Sequence, residues 1–258
     1  MGVIRREMDK GYWDSMAGVY EEEILSVLHS DERGLIRARL NKIASKNSTV
    51  ADIGCGIGHF LPLLAGRFGK VYANDISGEL LERARQAHSG KANIIFVPGD
   101  ISAVFKKIPR VDCVLSVNAL IASSMSVRER IFKAIASRLK PGGHLVLVVP
   151  SLESVLMVDL RFVQWKRRTG VPPHKALSST YPSAPRADNK ARQGIIPIDG
   201  VATKHYLKEE LEFILASHKM DVLEVSKIEY GWDSELEHPP AWMQAPYPWD
   251  WLVVARRA

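Results

Sequence analysis

The stretch Val50-Ala51-Asp52-Ile53-Gly54-Cys55-Gly56-Ile57-Gly58 sets an acid and three alternating glycines at the end of a short apolar run. Glycine reaches positive φ without steric penalty and has no Cβ, so such a loop brings backbone N–H groups close to a ligand. A dinucleotide fingerprint wants its third glycine one position later, where His59 stands. Asp52 adds a negative charge beside the loop, which repels a diphosphate and suits an ammonium, held directly or through water. The chemistry these residues point to is the binding of a cationic amino-acid moiety. The helix after the loop is expected to begin at His59, with its N-terminal amides facing the ligand.

Asp-x-Gly-x-Gly-x-Gly resembles the first motif of the class I S-adenosylmethionine-dependent methyltransferases, and companions follow in order. Val71-Tyr72-Ala73-Asn74-Asp75 is a short strand ending in an acid about twenty residues past the loop. The resemblance implies that Asp75, with Ile76 beside it, takes both ribose hydroxyls in charge-assisted hydrogen bonds. It likewise implies that Asp100, with Ile101, ends a third strand and accepts from the exocyclic amine of adenine. Val111 to Asn118 reads as the fourth strand, Asn118 lying near the methionine end or the acceptor, and Lys140-Pro141-Gly142-Gly143 is similar to the family's turn into the fifth. A segment before the first motif folds over the cofactor in this superfamily, and Tyr12-Trp13 with Tyr20 resembles it. The cofactor set expected here is Tyr20, Asp52, Gly54, Cys55, Gly56, Gly58, Asp75, Ile76, Asp100, Ile101 and Asn118. The resemblance covers residues 45 to 150 well and reaches more loosely beyond. It implies S-adenosyl-L-methionine as cofactor, S-adenosyl-L-homocysteine as product and no metal.

Methyl transfer from a sulfonium is an in-line displacement whose leaving group comes already activated. The protein has to align the acceptor, exclude water and remove a proton where there is one. Alignment is worth roughly 7 to 11 kcal/mol, and a general base about 10²- to 10⁴-fold, so no obligatory nucleophile is expected. His205 and Tyr206, just before a Glu209-Glu210-Leu211 helix, are the expected base or substrate contacts. After the fourth strand Asn118-Ala119-Leu120-Ile121 lacks the Asn/Asp-Pro-Pro-aromatic turn of nucleobase amino-methylating enzymes.

Strands alternating with helices imply a parallel sheet with right-handed crossovers and a ligand at the strands' C-terminal ends. The expected fold is α/β: a Rossmann-like, doubly wound, mostly parallel seven-stranded sheet with helices on both faces and an antiparallel last strand. One domain is expected: an N-terminal helical cap over 1–45, a cofactor core over 46–150, a basic insertion over 151–203, and a C-terminal helix with two strands over 204–258. Apolar periodicity predicts helices over 12–30, with Met16, Val19, Tyr20, Ile24, Val27 and Leu28 on one side, and over 31–45, with Asp31 as N-cap. Ser77 should cap the helix after the strand ending at Asp75, and Ser126-Val127-Arg128-Glu129 reads as a capping box. Residues 169 to 200 lack periodicity and are expected to form a lid.

The chain has 258 residues, 46% hydrophobic and 25% charged, a globular composition able to bury a substantial core. Two cysteines give no disulfide framework, and no apolar run of signal or membrane-spanning length stands out, so a reducing, cytoplasmic setting is expected. Net charge is +6, and eight bases against one acid fall between Arg161 and Arg192. That segment fits either a solvated insertion or attraction of an anion, so the expected acceptor is a small, anionic molecule. An RNA-modifying methyltransferase, a non-catalytic cofactor-binding regulator and a nicotinamide-dependent dehydrogenase are the rival readings.

Overall fold

A computed structural model describes residues 8–20, 27–180, 189–198 and 200–258. Seven strands form one sheet in the order β3-β2-β1-β4-β5-β9-β8. They are β1 (Thr49–Ile53), β2 (Lys70–Asp75), β3 (Ile94–Pro98), β4 (Val111–Val117), β5 (Leu139–Pro150), β8 (Met220–Glu229) and β9 (Trp249–Arg257). The first five are parallel, whereas β9 runs antiparallel to both β5 and β8. A separate antiparallel hairpin pairs β6 (Ile195–Ile198) with β7 (Val201–Lys204).

The strands are apolar on both sides because both faces are covered, as parallel sheets require. Ala51, Ile53, Val114, Leu145, Leu147 and Val253 pack with Phe132, Ile135, Leu211 and Leu215 from the helices Met125–Arg138 and Lys208–Ser217. Their alternates Val50, Val71, Ala73, Leu115, Val146 and Val148 pack with Ile36, Leu40, Leu61, Leu64, Leu81 and Ala84 from the helices Leu35–Ile43, Leu61–Arg67 and Gly78–Ala87. The period of two in the strands divides one chain between two cores.

Strand order reverses beside β1, whose neighbours are β2 and β4, and this opens a crevice at the carboxyl edge. Asp52, Asp75, Asp100 and Asn118 lie at or just past the ends of successive parallel strands. The direction of β9 adds one more: Asp250, at its start, sits opposite Pro150, at the end of β5.

Local details depart from expectation. The 12–30 helix is interrupted by a turn over 17–19: Lys10–Met16, capped by Asp9 accepting from the Tyr12 N–H, precedes it, and Tyr20 and Val27–Ser30 are helical beyond it, with residues 21–26, Ile24 among them, outside the described residues. Asp31 does cap the next helix, but from upstream: its two oxygens accept from Leu35 N and Ile36 N while Gly34, at φ +61°, makes the entry turn. The helix after the glycine loop starts at Leu61, not His59, with Pro62 in its first turn. Ser77 accepts from Leu80 N as expected. Ser126 forms no capping box, because the helix begins at Met125 and Ser126 is already inside it.

The apolar period of Leu152, Val155, Leu156, Leu160 and Val163 already reads as a helix running into Lys166-Arg167-Arg168, and it is the described part of 169–200 that holds more structure than its composition announces. Leu152–Arg168 is a helix capped by Ser151, Pro173–Thr180 and Asn189–Arg192 are further helical segments, and the β6–β7 hairpin follows. The hairpin is tied to the core: Lys204 N donates to Ile121 O and Tyr206 N to Pro150 O, each at 2.8 Å. Buried Lys204 is held by Gln193 O at 2.7 Å and by Glu210. Arg186 of the basic run lies outside the described residues.

Candidate active site

The loop after β1 keeps three glycines at positive φ: Gly54 at +75°, Gly56 at +54° and Gly58 at +87°. A Cβ on Gly54 would stand 2.3 Å from Ala119 Cβ, and one on Gly56 2.6 Å from the Tyr20 hydroxyl. The loop is locked from below, since Gly54 N and Cys55 N both donate to Asn74 O, at 2.8 and 3.0 Å. Asp75 braces it from the side: one carboxylate oxygen accepts Gly56 N at 2.8 Å and the other Ser77 N at 2.9 Å. Each oxygen keeps lone-pair capacity for a ligand hydroxyl.

Asp52 is 2% exposed, and its Oδ2 is sealed from solvent without a partner among the described residues. Burial, and then the charge of Asp75, pushes its pKa up to about 7. A buried carboxylate left in this state needs a cation or a proton, and this one borders the crevice. Asp100 uses Oδ1 to accept Ser102 N at 2.8 Å and so caps the short helix beginning at Ile101. Asn118 adopts φ +49°, a strained value for a non-glycine residue, and its Nδ2 donates to Asp250 at 3.2 Å.

These groups line one cavity of about 940 Å³. Tyr20, Asp52, Gly54, Cys55, Asp75, Ile76, Asp100, Ile101 and Asn118 all border it, as do Tyr12 and Trp13. Gly56 and Gly58 shape the loop without lining the cavity. His205 is a further lining residue, 4% exposed. Its Nδ1 lies 3.1 Å from Thr203 O, so Nδ1 carries the proton and Nε2 is the free acceptor. Burial lowers its pKa to about 4, Thr203's carbonyl opposing and the nearby Lys204 charge assisting, which keeps the ring neutral.

Tyr206 departs from expectation as a base or substrate contact. It is fully buried, does not border the cavity, and its hydroxyl donates to Leu120 O at 2.6 Å. Burial also raises its pKa, so it is a strut between the β7 side and the chain after β4.

Sequence reasoning missed a second wall. The helix Leu152–Arg168 contributes Ser154, Val158, Asp159 and Phe162, the hairpin Ile196 and Val201, and the chain around β8 and β9 Tyr230, Glu235, Trp249 and Asp250. Asp250 accepts from Tyr230 Oη at 2.7 Å, and burial raises its pKa. One signal was available: an acid between two tryptophans at the head of the apolar run Leu252-Val253-Val254-Ala255.

Residues 50–143 match a methyltransferase domain family. The chain is 33% identical over 112 residues to a probable cobalt-precorrin-6B C(15)-methyltransferase of Methanothermobacter thermautotrophicus, covering 42% of this chain and 56% of that protein. It is 29% identical over 155 residues to phosphoethanolamine N-methyltransferase 1 of Triticum aestivum, covering 57% and 31%. The chain thus spans about half or less of the length of these curated relatives. Among solved structures, the N-methyltransferase NodS of Bradyrhizobium japonicum, with S-adenosyl-L-homocysteine bound, shares the fold with a TM-score of 0.61 at 17% identity, over 96% of this chain and 97% of that one.

Proposed function

We propose, from the match of residues 50–143 to a methyltransferase domain family and the likeness to curated methyltransferases, that this chain is a class I S-adenosylmethionine-dependent methyltransferase and moves a methyl group from S-adenosyl-L-methionine to a small-molecule acceptor by in-line displacement. The observation that carries this is the unpartnered, buried Asp52 oxygen beside a glycine loop braced by Asp75. The donor set fits the cofactor. Asp52 takes the ammonium, Asp75 the ribose hydroxyls, Asp100 the adenine amine, and Gly54 and Gly56 leave the space that a Cβ would fill. The bound cofactor supplies the activated methyl group.

The remaining work falls to the chain. Trp13, Tyr20 and the insertion over 151–203 close the cavity against water, and neutral His205 offers Nε2 to a hydrogen on the acceptor. The chain acts as one domain, in which residues 46–150 hold the cofactor and residues 151–203, with β9, select the acceptor. An RNA acceptor draws no support from the cavity, whose lining contains neither Lys nor Arg among the described residues. Among the described residues the basic segment likewise places no cation in the cavity lining, so an anionic acceptor draws no support from that lining. Calorimetry with S-adenosyl-L-homocysteine and with NAD tests the cofactor, and a labelled methyl donor offered with a metabolite extract tests transfer. Binding of NAD in preference to the adenosyl ligand would overturn the proposal.

A further inference from the structure

The second wall has a one-sided inventory of polar groups. Its charged side chains are three carboxylates: Glu235 at the rim, half-buried Asp159, and Asp250, 9% exposed. To these it adds two neutral acceptors, His205 Nε2 and the partnerless Asn118 Oδ1. The hydroxyl protons are spent: Ser151 donates to Glu153, Thr203 to Val201 O, Tyr230 to Asp250 and Ser234 to Gly231 O. Among the described residues, the indole N–H of Trp249 and the Ser154 hydroxyl are the side-chain donors that remain on this wall.

Nearby cations are engaged with other groups, one of them on the outer side of the wall. Arg161 stacks on Trp232 and Trp242 and donates to Gln244 O, Lys227 sits 3.5 Å from the centroid of the Trp249 ring, and Lys204 pairs with Glu210. The carboxylates also act on one another. The protein packed around Glu235, and then the charges of Asp250 and Asp159, push its carboxyl above the usual range. A metal ion is not the missing partner, since among the described residues no group of three His, Cys, Asp or Glu side chains could hold one.

A wall that accepts hydrogen bonds and carries three carboxylates, with Lys166 acting on Asp159 alone, selects a ligand that donates and is positive. We propose that the methyl acceptor is an amine, taken up as its ammonium form and methylated on nitrogen, with Asp250, Asp159 and Glu235 recognising the charge. Trp249, Tyr230 and Phe162 pack against its carbon frame and face its cation. The ammonium gives one proton to a carboxylate oxygen of this wall. The freed lone pair then forms the N–C bond as the C–S bond breaks, the electron pair staying on sulfur. The products are the N-methylammonium and the neutral thioether.

This inference rests on the proposed methyltransferase function, and the test separates the two. The full chain is first titrated with S-adenosyl-L-homocysteine; failure to bind would sink the cofactor assignment itself. The loaded protein is then titrated with benzylamine, which is protonated at neutral pH, and with phenylacetate, its anionic counterpart. The expected result is at least about tenfold tighter binding of benzylamine, falling about tenfold in Asp250→Asn and less in the rim variant Glu235→Gln, as expected for a lost hydrogen bond to a charged group. Both variants are to retain S-adenosyl-L-homocysteine binding, which shows that they fold. Equal or tighter binding of phenylacetate, no measurable benzylamine binding, or benzylamine affinity unmoved in both variants overturns the amine.

Discussion

Asp75 accepts the backbone N–H of Gly56 at 2.8 Å, so the side chain proposed to read a ribose also fixes the loop proposed to admit the rest of the cofactor. Replacing it removes two functions at once. Asp75→Ala is expected to weaken S-adenosyl-L-homocysteine binding by about 1.5 to 3 kcal/mol through lost charge-assisted hydrogen bonds. Calorimetry reads this directly, and an unchanged affinity would show that another group holds the ribose.

Asp52 makes both stability and affinity depend on pH. Its carboxyl ionises near 3.8 when unfolded and near 7 in the folded chain without ligand. Between those values the folded state holds the extra proton, so the unfolding free energy falls as pH rises through this window and levels off above about 7. Cofactor affinity runs the other way, rising with pH to about 7 as the carboxylate becomes available to an ammonium. Denaturant unfolding and calorimetry across the window, compared with Asp52→Asn, check both; identical slopes in the variant would assign the titration elsewhere.

Two glycines offer opposite outcomes for the same substitution. Gly54→Ala forces a Cβ within 2.3 Å of Ala119 Cβ at φ +75°, and is expected to cost about 1 to 3 kcal/mol and to abolish cofactor binding. Gly66→Ala lies in the helix Leu61–Arg67 with open space around it and is expected to stabilise by about 0.4 to 1 kcal/mol. Thermal unfolding of the pair distinguishes a loop under geometric constraint from general intolerance of alanine.

His205 and Tyr206 adjoin in sequence but part in role. Tyr206→Phe leaves the buried Leu120 carbonyl without its donor and is expected to cost about 1 to 3 kcal/mol of stability while leaving KM for the acceptor unchanged. His205→Ala removes a cavity-lining acceptor and is expected to change kcat or KM with a smaller loss of stability. Steady-state kinetics beside urea unfolding reads the difference, and matching losses in both variants would contradict it.

The crevice formed by the glycine loop and the strand-end acids was legible because its signals are local: glycine alternation, an acid at a strand end, and a strand–loop–helix order that dictates where the crevice opens. Asp52, Asp75 and Asp100 could be found by position along the chain alone. The acceptor half was not, because it is assembled from separated pieces. Asp159 comes from a helix and Glu235 from an irregular connection, while Asp250 reaches the same edge only because β9 runs against β5. The insertion misled for a related reason: the hairpin Ile195–Lys204 is too short to register a period and is held by backbone bonds to Ile121 and Pro150, which composition does not encode.

Strand β9 lies between β5 and β8, although β8 precedes it in the chain. During synthesis β8 therefore has no sheet partner until the residues from Trp249 to Arg257 exist. Those same residues deliver Asp250 to the cavity. Completion of the sheet and completion of the cavity are one event: a nascent chain halted before this strand would carry the glycine loop, Asp52 and Asp75 yet lack the side of the cavity that Trp249 and Asp250 supply.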